Sequence, residues 1–430
     1  MKILFKNAGT LDRGPIDLLT DGAFIHAIAK TGEPIPEAES ADRVIDCTGR
    51  LMMPGLYNCH THAAMTLFRG YGEDLPLQRW LEERIFPAED LLTDRAVYDA
   101  SLWAIAEMLK NGIVSFTDMY FFCENTARAV EETGIKANIS RSLVSFDPDA
   151  DLYSDSRFLE AKSLFEHWHE TAGGRIKIDM ALHAEYTNVE RYCRQAAEFT
   201  ASIGARMHIH LSETQKEHEE CKARRNGRTP AAFFCDCGLL DSPTTAAHCV
   251  WVSEEDMDIL HDKRVFVAHN PVSNLKLGSG VMPLSRMRTH GVDIALGTDG
   301  AASNNTLDIL KEMYIAAILH KGVERDPSTP SASYMIEAAT RTGARSQGRD
   351  DCGLLKPGCR ADLILLDLTA IHNIPCYDPA YAAVYSANAS DVRLTMVDGR
   401  ILYENGEFTT IDMEKLRSDM RYTCANYFKA

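Results

Sequence analysis

Leu56-Tyr57-Asn58-Cys59-His60-Thr61-His62 begins as an apolar stretch of strand length and runs straight into two histidines. The pattern recurs downstream. Short apolar segments at 113–118, 137–142, 176–183, 206–210, 244–248, 264–269 and 293–297 end on or close to Asp118, Arg141, His183, His210, His248, His269 and Asp299. Helical periodicity fills the intervals, most clearly at 101–111, where Leu102, Ile105, Ala106 and Leu109 share one face and Gly112 follows as a stop. Eight strands alternating with helices over roughly 300 residues predict an α/β fold, a (β/α)8 TIM-like barrel rather than an open sheet. The polar residues decide between the two, because a barrel builds its site from the C-terminal ends of its strands.

Outward from this middle, the two ends of the chain resemble each other. Residues 1–54 read as short strands at 2–5, 24–28 and 43–45, broken by Gly14, Gly22 and Gly49. Near the other end, 362–366 is a buried-strand pattern, and 394–397 and 400–403 flank Asp398-Gly399, a hairpin signal. The expectation is one small β-sandwich built from both termini. Its N-terminal part is 1–54, the barrel is 55–350, and 351–430 supplies the C-terminal part and a tail.

Hydrophobic residues at 45% and charged residues at 25% are those of a globular protein with a sizeable core. The formal net charge of -17 disfavours nucleic acid and anionic membranes as partners. A small-molecule substrate is the better fit, and homo-oligomerisation is left open. Lys6, Asp12 and Arg13 interrupt the first thirty or so residues, which predicts no signal peptide and a cytoplasmic location. In that compartment the twelve cysteines are expected to stay reduced and pack as small apolar groups.

His60 and His62 lie two apart at a strand end, so both side chains reach the same face. Alone the pair means little. Closing the barrel, however, brings His210 from the fifth strand and Asp299 from the eighth next to the first. Three imidazoles and one carboxylate suit zinc or a similar divalent ion, with a position left for water. His208 shares a face with His210 but sits deeper, as a packed barrel histidine.

Five ordered motifs carry a resemblance: 53–62, His208-Ile209-His210-Leu211-Ser212-Glu213-Thr214, Ala247-His248-Cys249-Val250-Trp251, His269-Asn270-Pro271-Val272-Ser273-Asn274, and Gly297-Thr298-Asp299-Gly300 running on to Asn304. Together they resemble the amidohydrolase superfamily, and within it the 5'-methylthioadenosine/S-adenosylhomocysteine deaminases. The resemblance implies that His60, His62, His210 and Asp299 hold the metal. Glu213 would shuttle the proton, and His248 with Asp299 would act on the attacking water and the tetrahedral centre. It also implies that Glu89 meets the ribose, His183 the purine, Arg141 and Arg157 a homocysteine carboxylate, and that Ser303 helps to hold the base.

Binuclear members bridge two metals with a lysine at the end of the fourth strand, where this chain has Leu182-His183. One ion per chain is therefore expected, zinc first, with Fe2+ and Mn2+ as alternatives. The expected reaction is metal-dependent hydrolytic deamination of an adenine nucleoside, by hydroxide formed as the ion lowers the pKa of water towards about 7. The Pro-Cys-x-x-Cys of the other zinc deaminase class is missing, as are nucleotide-binding glycine patterns. The alternatives are another reaction on the same scaffold, such as deamination of guanine or another heterocycle or dechlorination of a triazine, and a non-catalytic binding protein.

Overall fold

The structure, a computed structural model, describes residues 1–11 and 14–427. Asp12 and Arg13, two of the charges that interrupt the N-terminal stretch, lie outside the described residues, as do the last three.

At the N-terminus, β1 (Lys2–Ala8), β2 (Ile16–Asp21), β3 (Phe24–Lys30) and β4 (Arg43–Asp46) form a four-stranded sheet in the order β3-β2-β1-β4. The next strand, β5 (Arg50–Pro54), leaves that sheet. Eight parallel positions then form the barrel: β6 (Leu56–Thr61), β7 (Ile113–Tyr120), β8 (Lys136–Leu143), β9 (Ile176–Ile178) with β10 (Met180–Leu182), β11 (Met207–Leu211), β12 (Thr244–His248), β13 (Phe266–His269) and β14 (Asp293–Leu296). The chain returns as β15 (Leu363–Asp367), β16 (Val392–Val397), β17 (Arg400–Glu404) and β18 (Glu407–Phe408), which complete a five-stranded sheet with β5 in the order β18-β17-β16-β15-β5. Ile3, Phe5 and Leu18 of the first sheet pack with Met52, Leu365 and Met396 of the second, so the two sheets share one apolar core.

The barrel nearly closes on itself. The Asp299 N–H donates to the His60 carbonyl at 2.9 Å, and the Thr298 N–H to Asn58 Oδ1 at 2.9 Å, which ties the end of the eighth strand to the first. Gly297 is required at this crossing, because a Cβ there would lie 2.9 Å from the His60 nitrogen and 3.0 Å from its carbonyl oxygen. The closure therefore sets Asp299 beside the two N-terminal histidines.

Two elements differ from the pattern read in the sequence. The fourth strand, expected as one run over 176–183, is broken at the buried Asp179, whose carboxylate accepts from Asn138 Nδ2 at 3.0 Å. The helix expected at 101–111 runs Asp94–Lys110, because Thr93 caps it by accepting from the Ala96 N–H at 3.2 Å. The terminal helix Met413–Tyr427 packs back on this one: Thr423 Oγ1 donates to Asp99 Oδ2 at 2.7 Å, and the Tyr427 hydroxyl to the Ala88 carbonyl at 2.7 Å. It thus braces the residue before Glu89. Among the described residues no helix is long and apolar enough to cross a membrane, and all twelve cysteines are free thiols.

A buried charge joins barrel to sandwich. Lys136, which opens β8, is almost wholly buried and pairs with Asp362, just before β15, and with Asp398 in the β16–β17 turn at 2.8 Å. Removing one partner from such a pair leaves uncompensated buried charge, so Lys136→Met should destabilise the protein by about 3–5 kcal/mol. Denaturant unfolding measures this, and a loss within experimental error would mean that the pair contributes nothing net.

Candidate metal centre and active-site cavity

Three imidazoles converge on one point, and their hydrogen bonds fix which nitrogen faces it. His62 Nδ1 meets the Met119 carbonyl, and His210 Nδ1 meets the His183 carbonyl at 2.7 Å. A carbonyl only accepts, so both Nδ1 atoms carry protons and both neutral rings aim an Nε2 lone pair inward. His60 Nδ1 lies 3.0 Å from Nε2 of His208, and donation in that direction gives His60 the same tautomer. The Nε2 atoms of His62 and His210 then face each other at 3.4 Å, while His60 Nε2 is buried without a hydrogen bond. Facing lone pairs and an orphaned nitrogen call for a cation.

Asp299 supplies the fourth donor, with Oδ1 at 3.3 Å from His60 Nε2 and 3.2 Å from His62 Nε2. Its other oxygen accepts from Ser273 Oγ at 2.6 Å and Ser303 Oγ at 2.9 Å, which orients the carboxylate. Burial works against its charge, but His60 and His62 hold it well below the usual carboxylate range. Burial likewise opposes a charged His62, while the Asp299 hydrogen bond and charge lift it to about 9, the mark of a site that favours positive charge. Burial keeps His60 and His210 neutral. His60, His62 and His210, and again His60, His248 and Asp299, each bring one ligand atom within 4.8 Å of the others. Three nitrogens, one carboxylate and room for a further group fit a divalent ion.

Glu213 stands next to this centre through its backbone. Ser212 is turned into the left-handed region at φ 48, and the buried Glu217 carboxylate accepts from the N–H of Ser212 at 3.0 Å and of Glu213 at 2.8 Å. The helix that follows begins only at Gln215–Arg224, capped by Thr214. Glu213 is thus left in the loop, where Oε1 accepts from Ser279 Oγ at 2.9 Å and Oε2 lies 3.8 Å from His248 Nε2. Burial pushes its carboxyl up, which favours a group that both takes and gives a proton. His248 and Asp299 also have left-handed backbones, at φ 74 and 59, and such strain collects at functional sites. Asn274 Oδ1, 2.9 Å from His248 Nδ1, accepts its proton and turns Nε2 towards the centre.

The centre opens into a cavity of about 450 Å³, within the range of small-ligand sites. Glu89, Arg141 and His183 line it with His62, His210, Glu213, His248 and Asp299. Glu89 ends the segment Leu77–Glu89, whose middle, Leu81–Ile85, widens into a π-turn, a feature frequent at functional sites. Burial lifts its carboxyl to about 7, with the neighbouring Tyr120 pulling the other way. Arg141 donates from Nε to Glu160 Oε2 at 2.7 Å and lies over the Phe121 ring. Two residues read as substrate contacts are not on the cavity wall. Arg157 pairs with Asp155, two residues before it, through Nε at 3.0 Å and Nη2 at 2.9 Å. Ser303 sits beneath Asp299 as its hydrogen-bond donor.

The supporting groups Ser273, Asn274, Ser279 and Glu217 carry no sequence signal of their own, although Ser273 and Asn274 lie inside the fourth of the five motifs. Only the folded helix Pro271–Lys276 reveals that one turns to Asp299 and the other to His248. His208, expected as packing, does pack, but it also orients His60.

The chain resembles known proteins over nearly its whole length. Residues 51–402 match the Amidohydrolase family. The chain is 42% identical over 98% of its length to a 5-methylthioadenosine/S-adenosylhomocysteine deaminase of Acetivibrio thermocellus, of which it covers 98%. It is 42% identical over 95% of its length to a 5'-deoxyadenosine deaminase of Methanosarcina mazei, covering 92% of that protein. Among solved structures, a zinc-bound adenosine deaminase from Xanthomonas campestris superposes with a TM-score of 0.92 at 29% identity, covering 100% of this chain and 98% of that one. An atrazine chlorohydrolase from Arthrobacter aurescens, at TM-score 0.89 and 23% identity over 98% of this chain and 100% of that one, shares the fold.

Proposed function

The chain belongs to the amidohydrolase family, and on that premise we propose that the cavity binds an adenine nucleoside, with the residues around the metal centre replacing the 6-amino group by oxygen. It is a metal-dependent hydrolase of the adenosine-deaminase type, and its products are the hypoxanthine analogue and ammonia. The observation that carries the assignment of roles is the position of Glu213, wedged between Ser279 and His248 beside the donor cluster, with Glu89 and His183 in the same cavity.

His60, His62, His210 and Asp299 would hold one divalent ion, with zinc the first choice for this donor set. Such an ion supplies Lewis acidity, lowering the pKa of water from about 15.7 towards about 7. The remaining chemistry falls to side chains. Glu213 takes a proton from the attacking water and delivers it to N1 of the ring, so that C6 accepts the oxygen. His248 Nε2, freed by the Asn274 bond, holds that oxygen in line. As the C6–N6 bond breaks, Asp299 and His248 stabilise the tetrahedral carbon and pass a proton to the departing ammonia. Glu89 accepts from the ribose hydroxyls, and His183 packs on the purine. Ser303 acts through Asp299, and Arg157 has no part in this reading.

An absorbance screen of adenosine, 5'-deoxyadenosine, 5'-methylthioadenosine and S-adenosylhomocysteine tests the reading. Conversion of at least one to its hypoxanthine product is expected; no conversion of any, with metal bound, rejects it. Arg141 is the candidate for a carboxylate on the 5' substituent. Arg141→Met should then cost about 1.5–3 kcal/mol more on S-adenosylhomocysteine than on 5'-methylthioadenosine, the worth of a hydrogen bond to a charged group. Equal losses on both, with a lower melting temperature, would make Arg141 structural.

A further inference from the structure

Arg141 is the only arginine or lysine on the cavity wall among the described residues, and it does not stand alone there. Glu160, from the helix Ser156–Trp168, lines the same cavity and binds Arg141 Nε through one carboxylate oxygen. Its other oxygen has no hydrogen bond among the described residues, and neither has Nη2 of Arg141. The pair is firmly held. Arg141 Nη1 donates to the Ser142 carbonyl at 2.8 Å, and the guanidinium lies 4.9 Å from the centre of the Phe121 ring. A free donor and a free acceptor of opposite charge are therefore presented side by side.

We propose that Arg141 and Glu160 form a paired receptor for the zwitterionic end of an α-amino acid on the 5' substituent, Arg141 taking the carboxylate and Glu160 the ammonium. The proposal rests on the adenine-nucleoside reading of the cavity. Three observations favour a zwitterion over other tails. A carboxylate without an ammonium would meet Glu160 as well as Arg141, and among the described residues no second arginine or lysine on the wall offsets that repulsion, because Arg157 is held by Asp155 away from it. The wall also carries Asp90, a further carboxylate outside the metal set, so a tail that brings an ammonium with its carboxylate is better accommodated than a bare carboxylate. A neutral tail would leave the free hydrogen-bonding positions of both groups unused, whereas an amino acid has its two charges a few ångströms apart, as the pair does.

The test compares wild type with Glu160→Gln on three substrates: S-adenosylhomocysteine, 5'-methylthioadenosine, and the S-(5'-adenosyl)-4-thiobutyrate analogue, which keeps the carboxylate and its spacing from sulfur and lacks only the ammonium. In wild type, kcat/KM should favour S-adenosylhomocysteine over the thiobutyrate. In the variant that preference should fall by about tenfold or more, and S-adenosylhomocysteine should lose about tenfold more than 5'-methylthioadenosine. Glu160 lies on a half-exposed helix face, so folding is not at risk, and the melting temperature checks it. An S-adenosylhomocysteine efficiency that rises in the variant would mean that Glu160 only masks Arg141. Equal losses on S-adenosylhomocysteine and the thiobutyrate, with 5'-methylthioadenosine spared, would make it only a support for Arg141, equal losses on all three would make it structural, and any of these results overturns the proposal. Failure of wild type on all three would instead reject the nucleoside reading itself.

Discussion

Glu213→Gln is expected to lower kcat by roughly 10²- to 10⁴-fold, the range for loss of a general acid–base, while the bound metal stays at the wild-type level. The two halves of this result come from separate features. A glutamine keeps an oxygen to accept from Ser279 Oγ, and the backbone stays clamped by the Glu217 carboxylate, so the side chain should hold its position. What disappears is the titrating group, which burial raises towards the pH at which a proton moves easily. Metal analysis beside steady-state rates separates the readings. If the variant loses its metal, Glu213 is a ligand and the proton-transfer role is wrong.

His210→Ala is the second change with a large expected effect. It removes an Nε2 whose lone pair is aimed by the His183 carbonyl at the point where His62 and Asp299 also converge. Most of the bound metal should go with it, and activity should fall to background, as it should for wild type after chelation. Wild type is expected to carry about one ion per chain. The fourth strand ends at Leu182, the next residue, His183, turns its ring to the cavity, and no lysine lines the wall among the described residues. Two ions per fully active chain would contradict the single-metal reading.

Much of this is legible in the sequence because a barrel converts strand order into spatial order. Once apolar runs are seen to end on His60, His210 and Asp299, closure alone brings the first, fifth and eighth strand ends together. The terminal sandwich is legible for a similar reason, since the Asp398-Gly399 turn marks a hairpin wherever it packs. What the sequence hides depends on side-chain direction. Arg157 reads as a candidate for an anionic tail, but Asp155 lies two residues away and holds it in a local ion pair. Glu160 looks like one more charge on a surface helix, and only the packing of that helix beside β8 brings it to Arg141. Ser279 and Asn274 carry no signal of their own, because a hydroxyl or an amide becomes a support only when a particular carboxylate or imidazole lies in front of it. The break at Asp179 escapes for the same reason: a buried carboxylate that satisfies itself on Asn138 interrupts a run whose apolar pattern is continuous.

The most direct test of hydrolytic adenosine-type deamination is turnover of the best substrate from the nucleoside screen in oxygen-18 water, followed by mass spectrometry of the base and assay of ammonia. The account predicts one labelled oxygen at C6 of the hypoxanthine product for each ammonia released, and neither after chelation. Adenine nucleosides left intact by metal-loaded enzyme that turns over guanine or a chlorotriazine would contradict it.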